Sequence, residues 1–372
     1  MLNRYSNLET LKREMAASDL DALVAISPEN VTYATGAVIW TQRSLRDRLA
    51  MVVWPREGEP TFLVAGQEAG YAGEQSWIKD IRSYVAHGDS PIRALASALR
   101  EKGLEAGRIG IEMGYLSAAY HQELAKSLPE LQLTPCESIF QKARLVKTAA
   151  EVELLSKAAV ATERALLATY ATIQPGDRER VLVGRLAENM LATGADAPSF
   201  LYMTVGPNTG YAHPSPTDYV AQPGDLVKTD CGAFFSGYQS DIARTAVIGK
   251  ASPEQRSIYE RLVQVHAKTI EAMKPGVAAR EVFRVAVEEY KRVNIPFSLA
   301  FAGHGLGLIT HEDLLLSDSE SAPLAPNMVF AVETRVRWPG KAGYHIEDLV
   351  VIGDRGPKKI TTFMDTEELM EL

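Results

Sequence analysis

Along roughly the first 140 residues, apolar and polar positions alternate in blocks that predict strands and helices in turn. Compact apolar runs at Ala22-Leu23-Val24-Ala25-Ile26, Leu49-Ala50-Met51-Val52-Val53-Trp54, Thr61-Phe62-Leu63-Val64-Ala65 and Ile109-Gly110-Ile111-Glu112 read as buried strands. Leu11 to Ala17, after Ser6, predicts an opening helix. Ile92 to Lys102 predicts another, with apolar residues three and four apart. Buried strands interleaved with helices predict an α/β layer. Gly103, Gly107 and Gly110 are scattered through it, without the strand, glycine-rich turn and helix of a phosphate loop.

The pattern changes beyond Arg144-Leu145-Val146-Lys147. Thr148 predicts the cap of a long helix from Ala149 to about Thr172, whose stripe Val152, Leu155, Ala159, Thr162, Leu166 keeps helical spacing. It breaks at Gln174-Pro175-Gly176, and a second helix follows over Arg178 to Ala192. The same grammar then returns. Ser252-Pro253-Glu254 starts a helix with proline in the first turn, where no amide hydrogen is needed. That helix runs to Met273, breaks at Lys274-Pro275-Gly276, and is followed by another from Ala279 to Val293. The two Pro-Gly breaks lie 100 residues apart. After each helix pair comes strand-like sequence with two acids: Asp230 and Asp241 in the first copy, Glu333 and Glu347 in the second. The repeat predicts an internal duplication, with the chain divided into residues 1–143 and 144–372.

Composition narrows the classes of function. The 372 residues are 46% hydrophobic and 23% charged, an ordinary globular balance with room for two domains. With 39 Lys+Arg against 47 Asp+Glu the net charge is −8, and no basic block offers a nucleic-acid surface. A mean hydropathy of −0.09 and the lack of any long apolar run predict no membrane span. Two cysteines, Cys136 and Cys231, make no disulfide framework and suit a reducing compartment. On a strand, Cys231 points away from its neighbour Asp230 and is expected to pack in the core. Met1-Leu2-Asn3-Arg4-Tyr5-Ser6-Asn7 carries one basic residue and no apolar stretch, so no secretory signal is read and a cytoplasmic protein is expected.

The paired acids carry the candidate chemistry. Packed together, four carboxylates repel, and burial raises the cost. Two divalent cations roughly 3.5–4 Å apart would neutralise them. In each copy a hairpin, turning at Phe235-Ser236-Gly237-Tyr238 or at Trp338-Pro339-Gly340, is expected to bring its two acids side by side at the ladder. Gly303-His304-Gly305-Leu306-Gly307 adds an imidazole among glycines, which are expected to let backbone approach a ligand closely. His311-Glu312 and His213-Pro214 offer two more imidazoles. His87, His121 and His266 lack such company and are read as surface or helix-face residues. A strand aspartate or a histidine beside proline is, taken singly, an ordinary turn or loop residue. The duplication that pairs the acids makes the set a site.

These residues together resemble the pita-bread metallopeptidases: prolidase, aminopeptidase P, more distantly methionyl aminopeptidase, and the metal-free relative creatinase. The matching segments are Val205-Gly206-Pro207-Asn208 with Ala212-His213-Pro214, Gly224 to Ala233 around Asp230, Gly237 to Thr245 around Asp241, the His304 glycine run with His311-Glu312, Glu333, and Ile346-Glu347-Asp348. The resemblance covers nearly the whole chain. It implies a small α/β amino-terminal domain followed by a duplicated α+β pita-bread catalytic domain. It also implies a hydrolase of Xaa-Pro bonds, a dipeptidase or an aminopeptidase. By the same resemblance Asp230 would bind one metal, Asp241 and Glu347 would bridge two, and His304 and Glu333 would complete the second. A water activated between the metals would attack, Glu333 would take its proton, and His213 and His311 would steady substrate and oxyanion. An oxygen-rich set favours Mn²⁺, with Zn²⁺ or Co²⁺ as other occupants. Small peptides are the expected partners. A homodimer is expected too, with the loop Trp40-Thr41-Gln42-Arg43 as candidate contact.

Two departures bear on the substrate. Proline-reading relatives usually carry a proline shortly after His-Glu, where this chain has His311-Glu312-Asp313-Leu314-Leu315-Leu316. They also often carry an arginine two residues before the last ligand, where this chain has His345. His345 and Arg337 are therefore the candidates for holding a substrate carboxylate, with Arg335 beside them. The same departures leave open a second activity class, a C–N hydrolase or lyase acting on a small nitrogenous or osmolyte-like compound.

Overall fold

The computed structural model describes residues 5–372, so the opening segment read as lacking a secretory signal lies partly outside the described residues. The chain forms two compact units, divided after Arg144. Among the described residues the first holds six strands: β1 (Ala22–Ala25), β2 (Met51–Pro55), β3 (Thr61–Ala65), β4 (Asp80–Tyr84), β5 (Arg108–Ile111) and β6 (Gln132–Pro135). They form one mixed sheet in the order β4-β3-β2-β1-β5-β6, covered by helices including Pro91–Glu101. The opening helix is Leu8–Ala17, three residues longer at its start than the apolar spacing alone predicts, because the Asn7 side chain accepts from the Thr10 amide and caps it. A helix not foreseen, Pro28–Thr35, begins with Ser27 as cap and Pro28 in the first turn. That is the same start signal as Ser252-Pro253. The segment read as a loop at Trp40 to Arg43 is the short helix Trp40–Ser44. Its buried Gln42 donates through Nε2 to the carbonyls of Ile26 (2.6 Å) and Ala50 (3.1 Å).

The second unit is built on strands β7 (Ala197–Val205), β8 (Leu226–Phe235), β9 (Tyr238–Gln239), β10 (Ile242–Val247), β11 (Gly303–Gly305), β12 (Glu312–Leu315), β13 (Val329–Trp338), β14 (Ala342–Gly353), β15 (Gly356–Lys359) and β16 (Met370–Glu371). Its main path runs β12-β11-β13-β14-β10-β8-β7, antiparallel at every step. The duplication is visible in detail. Each copy opens with a long helix, Ala149–Tyr170 or Pro253–Ala272, started by a full capping box: Thr148 with Glu151, and Ser252 with Gln255. Each long helix ends at a Pro-Gly break whose glycine needs positive φ, 96° at Gly176 and 84° at Gly276. Each of those glycines donates its amide across to a returning segment, Gly176 to Ala221 and Gly276 to Leu324, both at 2.8 Å. A second helix follows in each copy, Glu179–Ala192 and Ala279–Arg292.

The helices pack on one face of this sheet. Leu166, Leu182, Leu186 and Met190 meet Val227, Cys231 and Ala246 in one core cluster. Val282 and Ala286 meet Phe330, Val332 and Val350 in another. Cys231 therefore lies in the core, as its strand position predicts, and burial pushes its thiol well above the ordinary value. Beneath the sheet on this face sits a fully buried ion cluster. Arg244 donates to Glu163 (2.7 Å), to Asp348 (2.8 Å) and to the Glu347 carbonyl (2.6 Å). His266 is a correction to the sequence reading. It is 5% exposed and lies between Thr334 (3.0 Å) and Asp348 (3.1 Å), because it falls on the inward stripe of its helix with Ile258, Leu262 and Val265. Burial alone would raise the Asp348 carboxyl, but Arg244 and His266 hold it well below the usual carboxylate range.

Removing Arg244 leaves Glu163 buried without a counterion and Asp348 with His266 and Lys359 alone. Arg244→Ala is expected to lower the unfolding free energy by about 3–5 kcal/mol, measured by denaturant unfolding of the whole chain.

Candidate active site

The opposite face of the same sheet carries the acids. β13 and β14 pair so that Glu333 lies directly across from Glu347, and Arg335 across from His345. Residues opposite each other, and residues two apart on one strand, share a face. Glu333, Arg335, His345 and Glu347 therefore form one two-by-two block. Ala243 lies across from Glu347 on one side and from Asp230 on the other, which brings Asp230 to the same face. In this second copy the two acids sit side by side as expected. In the first copy they do not: Asp230 faces Ala243, and Asp241 precedes β10 outside the ladder, reaching the site from the strand's entry.

His304 arrives on β11, the strand beside β13. Its Nδ1 is 3.1 Å from the Gly305 carbonyl, an acceptor only, so Nδ1 carries the proton and Nε2 is left with a lone pair. That Nε2 lies 3.5 Å from Asp241 and 3.7 Å from Glu347 Oε1. The flanking glycines serve the sheet rather than a ligand, contrary to the expectation from sequence. A Cβ at Gly303 would strike the Ala331 carbonyl, and one at Gly305 the Asp313 carbonyl, so β11 fits between β12 and β13 only without side chains there.

All four acids are buried, Asp230 at 7% exposure, Asp241 and Glu333 at 3%, and Glu347 at 2%. They border a cavity of about 290 Å³ whose wall also includes His304, Thr310, Phe200, Tyr202 and Phe301. His213 and His311 stand exposed on the same wall. The His213 ring packs 4.6 Å from that of Tyr202, with Nε2 3.5 Å from Asp230. The His311 ring stacks on His304 at 3.8 Å. His345 and Arg337 do not line the cavity. Arg335 does: it pairs with Glu333 and lies over the Phe301 ring. Arg337, opposite Gly343, falls farther along β13. His345 is 4% exposed, among Asp230, Glu333 and Glu347. Its position was readable from the two-residue spacing to Glu347, which puts both on one face. Tyr202, Phe200 and Phe301 carry no comparable signal, since aromatic residues on strands are usually core.

Electrostatics fits a cation site. Burial, with Glu347 and Asp230 alongside, pushes the Asp241 carboxyl well above the usual carboxylate range. Burial and Asp230 do the same to Glu347. Burial pulls the His304 imidazole down to about 4, and His345 well below its ordinary value. Acids that resist ionising and imidazoles that resist protonation are what a cluster of donors does without a cation between them. Two groups of donor atoms lie close enough to share an ion, Asp230–His345–Glu347 and Asp241–His304–Glu347, each group within 4.8 Å. The donor chemistry therefore fits divalent metal. Among the described residues no helix is long and apolar enough to cross a membrane.

Comparison with known proteins agrees with the motifs. The model of metallopeptidase family M24 matches residues 153–354, and that of the creatinase/prolidase N-terminal domain matches residues 7–146. The Xaa-Pro dipeptidase of Pyrococcus furiosus is 31% identical over 255 residues, covering 68% of this chain and 73% of that protein. The Xaa-Pro dipeptidase of Lactobacillus helveticus is 28% identical over 359 residues, covering 95% and 96%. Among solved structures, the prolidase of Pyrococcus horikoshii superposes with a TM-score of 0.84 at 26% identity, over 96% of this chain and 98% of that one. The dipeptidase PepE of Mycobacterium ulcerans gives 0.83 at 28%, over 98% and 96%. The resemblance read from the motifs is thus borne out: the chain belongs to metallopeptidase family M24, with a creatinase/prolidase-type domain ahead of a pita-bread catalytic unit.

Proposed function

We propose that this metallopeptidase hydrolyses Xaa-Pro dipeptides with two divalent metal ions. The observation that carries the reading is the convergence of Asp230, Asp241, Glu333, Glu347 and His304 on one small cavity. Its volume of about 290 Å³ is at the lower end for ligand sites and suits a small substrate group. Relatives named Xaa-Pro dipeptidase, one of them alike over nearly the whole length, support the substrate class. Mn²⁺ is the first ion to test, since carboxylates dominate the set.

When bound, the two ions would polarise the scissile carbonyl and lower the pKa of a water between them. The protein's own groups do the rest. Glu333 takes the proton of the attacking water and delivers it to the proline nitrogen as the C–N bond breaks. His311, on the wall beside His304, donates to the oxygen where negative charge develops. His213, braced on Tyr202, orients the substrate. Arg335 binds the free carboxylate of the dipeptide through its planar guanidinium. Phe200, Tyr202 and Phe301 offer apolar surface to the pyrrolidine ring.

The purified protein is expected to hold two divalent ions per chain and to hydrolyse Gly-Pro, and Asp241→Ala to abolish turnover. Less than one ion per chain under saturating conditions overturns the metal reading. Metal bound without Xaa-Pro turnover overturns the substrate class and favours the small-molecule C–N alternative. Arg335→Ala is expected to raise KM for Gly-Pro by about 10–100-fold more than KM for Gly-Pro amide, the worth of one charge-assisted hydrogen bond.

Stability tests the acid cluster separately. Asp241 and Glu347 have folded-state values raised above those of the unfolded chain. Each therefore stabilises the chelated protein below about pH 4, and that contribution is lost as pH rises through the raised values. At pH 7.5 in chelator, Glu347→Gln should melt higher than the parent, by roughly 2–4 °C for each kcal/mol of relieved repulsion. Added divalent ion should raise the parent's melting temperature strongly and the variant's little, both read by thermal unfolding.

A further inference from the structure

The dinuclear reading assigns His345 no part, yet its surroundings are those of a ligand. Its Nε2 is buried and makes no hydrogen bond among the described residues. The atom lies 3.2 Å from a Glu333 oxygen and 3.7 Å from Glu347 Oε2, and Nδ1 lies 3.6 Å from Asp230. The 3.2 Å approach is not aligned as a hydrogen bond, so the nitrogen is left without a proton partner while facing carboxylate oxygens.

Hydrogen bonds to Thr245 hold the His345 backbone in place. The His345 amide donates to the Thr245 hydroxyl at 2.8 Å, and that hydroxyl donates to the His345 carbonyl at 3.0 Å. The arrangement also mirrors the other side of the site. Glu347 presents Oε1 to His304 Nε2 and Oε2 to His345 Nε2, both at 3.7 Å. Two donors each about 2.1 Å from one ion stand roughly 3.0–3.6 Å apart at angles of 90–120°. The separations around His345 fall in or next to that range. A substrate-binding role fits less well, because the ring is 4% exposed and does not reach the cavity wall.

We propose that His345 is a sixth metal-binding side chain, joining Asp230 and Glu347 so that each of the two ions has one imidazole. The proposal rests on the dinuclear reading above and adds a ligand to it. A neutral nitrogen donor leaves the charge of the site unchanged while softening the donor set. The His345 half-site should therefore favour Co²⁺ or Zn²⁺ over Mn²⁺ more strongly than an all-carboxylate half-site would.

The test uses the full-length protein loaded with Co²⁺ or Zn²⁺, its metal content measured and its X-ray absorption recorded at the metal edge. Two ions per chain with imidazole scattering of one ring per ion supports the proposal. Two ions with half a ring per ion overturns it and leaves the dinuclear reading standing. Fewer than one ion per chain overturns the reading beneath it. His345→Ala, checked for native circular dichroism, should halve the imidazole signal and weaken one of the two ions at least about tenfold. His345→Ala with both affinities and the imidazole signal unchanged also overturns it. Should the alanine variant fail to fold, the imidazole count on the parent still decides.

Discussion

Everything in the catalytic unit depends on one pairing, the antiparallel register of β13 against β14. It sets Glu333 against Glu347 and Arg335 against His345, and turns all four side chains to one face. A slip of β13 by one residue would turn Glu333 and Arg335 under the helices and bring Val332 and Thr334 to the cavity side. The register is held from beneath by apolar packing of Phe330, Val332 and Val350, and by the tight turn after Trp338. Like charges are thus gathered against their own repulsion, and the favourable energy that holds them comes from the opposite face of the same strands.

Much of this was legible in the sequence where the governing physics is local. The capping boxes at Thr148 and Ser252 and the Pro-Gly breaks are satisfied within a few residues of their own signals, and the duplication follows from them. The acids were legible because the duplication places one pair of them after each pair of helices. The missed features depend on the order of strands in the sheet. Spacing alone could not show that β11 would wedge between β12 and β13, so the glycines around His304 read as room for a ligand when they are room for neighbouring backbone. Nor could it choose between Arg335 and Arg337, which share a face and differ only in how far along β13 they lie. His266 was hidden by its own polarity. Its apolar helical stripe marked it as inward-facing, and only the buried Asp348 explains why a histidine is tolerated there.

The duplication is symmetric in its helices and asymmetric in its chemistry. The second copy contributes two glutamates placed directly across a ladder. The first contributes two shorter acids, one from the strand and one from its approach. Side-chain length and strand position compensate, so that four oxygen-donating groups from unequal origins reach one centre. His304 and His345 extend the same economy, one from a glycine-flanked strand beside the ladder and one from within it.

The ion cluster under the sheet has a consequence for how the chain folds. Glu163 belongs to the first copy, Asp348 to the second, and Arg244 joins them across 81 and 104 residues, while Phe363 returns to Glu163 from 200 residues away. In solenoid repeats each unit contacts only its neighbours and stability grows by increments. Here Arg244 of the first copy serves Glu163 of its own copy and Asp348 of the other, so the two copies share one buried cation. Two repeats in sequence are therefore coupled through one cation, and Asp348 gains that cation only once a loop of 104 residues has closed.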